Sequence, residues 1–157
     1  MGSRNVETVS IAAVALTSGR LTLWHRYRAD APYGETRTTR TWVTHETEKE
    51  ATEIHSLSEL SAIPNARFLS NVDATAAALV LAWLGRMGNV ITGSFLIREY
   101  SSELPASLIN KLPTVTWPHL SFVTMRLNGD TRLWCEQVIN METLEVRENC
   151  HATRDRA

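Results

Sequence analysis

The chain has 157 residues, 43% hydrophobic and 21% charged side chains, and a formal net charge of -1. Those values exclude wholesale disorder and any chain-wide attraction to nucleic acid or membrane. They fit one domain, residues 1–157, long enough to bury about two thirds of its unfolded surface.

Residues 6–17 are rich in Val, Ile, Ala and Thr and alternate loosely, which predicts a mostly buried strand. A second strand follows from Leu21 to Ala29. The turn residues of Asp30-Ala-Pro-Tyr-Gly-Glu35 come next, then a β-branched third strand from Thr36 to Thr44. Together these predict an antiparallel meander. Its charge is uneven: residues 1–44 hold six arginines against Glu7, Asp30 and Glu35. Along one strand, Trp24, Arg26 and Arg28 share a face, while Leu21, Leu23, His25 and Tyr27 share the other.

With Arg37, Arg40 and Trp42, that hairpin is the leading candidate site. Aromatic rings interleaved with arginines can stack bases or sit against anionic headgroups. Arginine stems covering tryptophan rings at a sheet surface or subunit interface would give the same pattern. The hairpin register, which decides whether Arg40 and Trp42 join the face, is not set by the sequence.

The run 45–55 holds Glu46, Glu48, Glu50 and Glu53 between two histidines. It has no apolar period and reads as a solvated connection, or as the partner of the arginine hairpin on a neighbouring subunit. Ser56-Leu-Ser-Glu59 has capping-box spacing and predicts a short helix to about residue 63, stopped by Pro64. A short strand is predicted at 66–71.

From Ala74 to Gly85 there is no charge, and Thr75 is the only polar side chain. A helix there, about 74–87, has no solvated face, so it needs cover on most sides. It falls short of the ~20 residues that cross a bilayer, so the cover is expected to be protein. Asp73 can cap its start, and Gly85 or Gly88 can end it in the left-handed conformation.

Residues 89–100 predict a strand and 105–112 a short helix. Asn128-Gly129 predicts a hairpin between 119–127 and 131–138, with a type I′ turn that pairs Cys135 with Phe122 and His119 with Val138. A last strand is predicted at 143–149, and residues 150–157 are expected to be a loose tail. Cys135 and Cys150 are too few for a disulfide scaffold; they could pair with each other, but nothing in the spacing requires it, and free thiols are the default expectation.

The expected fold is therefore α+β, one antiparallel sheet wrapped around a single buried central helix, with two short peripheral helices. Nucleotide-binding glycine loops, zinc spacings and a nucleophile elbow are absent from the sequence. No cofactor, metal or catalytic residue is assigned. Two functions are expected. The first is a non-catalytic, self-associating structural or adaptor protein, a viral matrix-type protein being one instance. Its Arg/Trp hairpin would meet nucleic acid, anionic lipid or another copy. The second is a small cofactor-independent enzyme or ligand-binding protein, with a pocket between sheet and helix that uses Arg98, Tyr100, His119 and Glu136. The N-terminus lacks a secretory apolar core, and no transmembrane segment is expected, so the protein is read as intracellular and soluble.

Overall fold

The computed structural model describes residues 6–28, 37–93, 100 and 102–152, with 37–39 as backbone. Four strands make the first sheet: β1 (Val6–Leu16), β2 (Gly19–Arg28), β3 (Arg37–Glu46) and β4 (Ala51–Ile54), paired antiparallel in that order. Helices α1 (Leu57–Ser61) and α2 (Ala74–Leu84) follow. The second sheet contains β5 (Asn89–Val90), β6 (Thr114–Thr116), β7 (His119–Asn128), β8 (Thr131–Asn140) and β9 (Val146–Ala152). Its order is β5-β7-β8-β9, with β6 alongside β5 on the same edge of β7. A single 3-10 turn, Ala106–Leu108, stands where the second peripheral helix is predicted.

The expected single wrapped sheet is overturned. Each half of the chain closes its own sheet through short hairpins, and no strand is shared between them. The molecule is mostly antiparallel sheet, with α2 as its one substantial helix among the described residues. Helix α2 packs on β1 and β2 of one sheet and on β5, β6 and β7 of the other. The core joins Val14, Leu21, Leu23 and Val43 to Val80, Leu81 and Leu84, and these to Leu120, Phe122 and Ile139. Ala77, Ala78, Val80, Leu81, Ala82 and Leu84 are buried, leaving Thr75, Leu79 and Trp83 as a narrow wetter stripe. Ribbon pairing is local and loses little loop entropy, so two compact meanders form more readily than one sheet spanning both halves.

Asp73 caps α2 by accepting the amide of Ala76 at 2.9 Å. Its other end differs from expectation. Gly85 has φ -83°, and Arg86, at φ 53°, occupies the left-handed position. The amides of Arg86 and Met87 bond the carbonyls of Trp83 and Ala82, which completes a Schellman motif with arginine where glycine is usual.

The strand phases also differ from a simple alternation. A bulge leaves Ile11 without a partner between the pairs Ser10–Trp24 and Ala12–Leu23. That extra residue shifts the phase of the strand, so the face that holds the exposed Glu7 and Val9, opposite Tyr27 and His25, continues as the buried Ala12, Val14 and Leu16. Gly19, at φ 152°, opens β2 after the Thr17–Ser18 turn, and a β carbon there would lie 2.2 Å from the Glu46 carbonyl oxygen.

The acidic run is a hairpin and not a connection. Thr44–Glu53, His45–Thr52 and Glu46–Ala51 pair across it, and Thr47 accepts the amides of Lys49 and Glu50 to close the turn. Of the strand predicted at 66–71, one bridge remains, Leu16–Phe68. Of 89–100, only Asn89–Val90 is strand, and 94–99 lie outside the described residues. Strand β9 runs through Ala152, so residues 150–152 of the expected loose tail are paired, and 153–157 lie outside the described set.

The C-terminal hairpin turns on Gly129 and Asp130. Its register pairs Asn128 with Thr131, Thr124 with Cys135 and His119 with Asn140. Gly129 has φ 66° and Asp130 is not left-handed, which excludes the predicted type I′ geometry. The slip is two residues, so every side chain keeps its expected face.

The two sheets are covered differently. One face of the second sheet joins the main core, and the other carries Val123 and Trp134 under Ile91, Leu104 and Leu108. The first sheet buries only its inner face, and its outer face carries tryptophan and arginine.

Candidate functional site

The β2–β3 register sets Trp24 opposite Trp42 and Arg26 opposite Arg40 on the outer face of the first sheet. The indole rings stack with centroids 6.4 Å apart and planes 21° apart. The guanidinium carbons of Arg26 and Arg40 lie 5.1 and 4.8 Å from the Trp42 ring centroid. Each such contact contributes about 0.5–1 kcal/mol at an exposed site. Arg28 continues the row opposite Val6 and Arg37, beyond a bulge that leaves Thr39 unpaired. The Arg37 backbone belongs to the register, and its side chain lies outside the described atoms. All six predicted residues thus lie along one hairpin, five of them with described side chains, and four form a single aromatic–cation cluster.

The acidic hairpin supplies what the sequence reading put on another subunit. The Trp24 indole donates to Thr44 Oγ1 at 2.8 Å, and Thr44 donates to Glu46 at 3.0 Å. Arg20 donates to Glu46 at 2.6 Å. Burial raises the Glu46 pKa, but hydrogen bonds from Arg20 and Thr44 and the charge of Arg20 outweigh it and hold the carboxyl below its ordinary value. Arg40 pairs with Glu53, which also meets His55 Nε2 at 2.6 Å, while His55 Nδ1 meets Glu59 at 3.2 Å. The His55 hydrogen bond lowers the Glu53 pKa, and the same contact, helped by Glu59, raises that of His55.

An open depression of about 280 Å³ lies beside the rings, lined by Thr8, Trp24, Trp42, Thr44, Glu46 and Ala51. The face is therefore an aromatic platform with two guanidinium groups on the Trp42 ring and two arginine–glutamate pairs, Arg20–Glu46 and Arg40–Glu53, beside it. Sequence reasoning missed Thr44, Glu46 and Glu53 as members of it. The signal was the opposite charge of the next strand in the chain.

Of the alternative quartet, His119 and Glu136 do not meet. Tyr100 packs on Trp134 with centroids 5.5 Å apart, and the Arg132 guanidinium carbon lies 4.9 Å from its ring. Glu136 is paired with Lys111. His119 is exposed and lies four residues along β7 from Val123, the partner of Glu136, a distance of roughly 13 Å. Arg98 lies outside the described residues. A larger cavity of about 660 Å³ lies elsewhere, between Phe68, Trp117 and Leu144.

The expectation of free thiols is overturned. Cys135 and Cys150 face each other across β8 and β9 and form a disulfide, 15 residues apart in sequence. Beside it, Arg126 grips both oxygens of Glu148 at 3.0 and 2.8 Å, and Gln137 donates to Glu148 at 2.7 Å. The Arg126 guanidinium, then Gln137, hold the Glu148 carboxyl down at about 2. No helix among the described residues is long and apolar enough to cross a membrane. No protein-family model, curated protein or solved structure matches the chain.

Proposed function

We propose that this is a non-catalytic, self-associating structural or adaptor protein that receives an acidic partner on the outer face of its first sheet. The supporting observation is the stacked Trp24–Trp42 pair with Arg26 and Arg40 against it, on a sheet face that the core leaves uncovered. Rings of this kind offer stacking area to planar or amphipathic groups, and the guanidinium groups offer two-pronged contacts to phosphate or carboxylate.

Self-association is supported by β1, an eleven-residue strand at the sheet edge. It exposes Val6, Val9 and Ile11 at 45, 40 and 44%. A long apolar edge is a template for pairing with another strand. The proposal places the protein inside the cell as a soluble protein, a reducing compartment in which a lasting disulfide is unusual.

Heparin chromatography tests the reading. The wild type should be retained and released by salt, and Arg26→Glu/Arg28→Glu should lose that retention. Wild type and variant eluting together at low salt would end it.

A further inference from the structure

The disulfide has a chemical asymmetry that the proposed function does not use. Cys135, on the inner of the two strands, is fully buried, whereas Cys150 on β9 is partly exposed. Among the described residues strand β9 ends the sheet, and no further strand pairs on the side of Cys150 away from Cys135. Thiol–disulfide exchange proceeds by attack along the sulfur–sulfur axis, and of the two cysteines only Cys150 is open to solvent. Arg126 Nη2 lies 3.9 Å from Cys150 Sγ and favours the thiolate there. The nearby Glu148 carboxylate opposes it, but both its oxygens are engaged by Arg126 and one also by Gln137.

We propose that Cys150 is a thiol-exchange site for low-molecular-weight thiols of the glutathione class, with Cys135 as its resolving thiol. A thiolate attacks Cys150 Sγ, the Cys135–Cys150 bond breaks, and Cys135 leaves as a thiolate that takes a proton from solvent. A second thiol then attacks the small-molecule sulfur on Cys150, releasing the small-molecule disulfide and the Cys150 thiolate. Two electrons pass from two thiols to the protein disulfide. In the reverse direction, Cys150 attacks the small-molecule disulfide, and Cys135 displaces the adduct. The trio Cys135, Glu148 and Cys150 lies close enough to hold a cation once reduced. The Arg126 guanidinium already occupies that carboxylate and sulfur, which favours thiol exchange over metal.

The test is native full-length protein incubated with glutathione, quenched with acid, and mapped by peptide mass spectrometry. The expected result is glutathione on the Cys150 peptide only. In the reduced protein, iodoacetamide should modify Cys150 about tenfold or more faster than Cys135. Arg126→Gln should slow Cys150 alkylation roughly threefold at neutral pH and move its pH profile upward, and Arg126→Lys should restore part of the rate. Glutathione on Cys135, or exchange only under denaturing conditions, would overturn the proposal. So would stoichiometric zinc protecting both sulfurs of the reduced protein. If the Arg126 variants fail to fold, the wild-type adduct map and alkylation ratio decide alone.

Discussion

Glu53 is where the charges of the candidate face are balanced, since it meets Arg40 and His55 together. Removing its charge should release Arg40 for a polyanion, so Glu53→Gln should bind heparin two- to threefold more tightly, about 0.5 kcal/mol. Lower or unchanged retention would show that Arg40 takes no part. The same cluster gives a pH signature. His55 has a raised pKa, so its contribution is fully present below about 6.5 and is lost as pH rises through its folded value. Glu53 has a lowered pKa, so its contribution is present above about 4.3 and fades as pH falls. Thermal melts of His55→Gln against wild type should differ most near pH 5–6 and converge at alkaline pH.

Glu148 follows the carboxylate sign more strongly. Its stabilising effect is complete above its ordinary value and disappears as pH falls toward about 2. A third of its side chain is wet, so Glu148→Gln should cost about 1 kcal/mol at pH 7 and little near pH 2, measured by urea unfolding.

At the scale of elements, α2 carries the sharpest stability predictions. Leu81 is fully buried where the helix meets both sheets. Leu81→Ala should cost about 3 kcal/mol. Arg86→Gly should instead stabilise the protein by up to about 1 kcal/mol, because glycine adopts the left-handed position without penalty. A destabilised Arg86→Gly would mean that the arginine side chain holds something the helix end needs.

Helix α2 was legible because an uncharged stretch with an Asp at its head leaves few alternatives. The faces of β2, β7 and β8 were legible because side-chain period survives a two-residue slip. The β1 alternation looked loose because Ile11 is a bulge, and a bulge has no compositional signature here. The acidic hairpin was missed because its strands are stabilised by Arg20 and Arg40 across the sheet, with no apolar period of their own. The split into two sheets was illegible for a related reason: the sequence lists strands but not their neighbours. The Arg/Trp cluster was half visible. The sequence puts Trp24 and Arg26 on one face, and only the register adds Arg40 and Trp42.

At the scale of the molecule, the second sheet is covered on both faces and tied by a disulfide. The first sheet keeps one bare face and one apolar edge. Such a division suits a rigid body that presents a binding surface. Val9→Lys/Ile11→Lys should shift size exclusion with light scattering from oligomer to monomer while leaving heparin retention intact. An unchanged mass would remove β1 from the assembly.

Tryptophan fluorescence during heparin titration interrogates the Trp24–Trp42 platform itself. The account expects a saturable change in emission that weakens steeply with salt and is lost in Trp24→Phe/Trp42→Phe and in Arg26→Glu/Arg40→Glu. An emission change that persists in both variants, or heparin binding with no change at all, would place the partner elsewhere on the molecule.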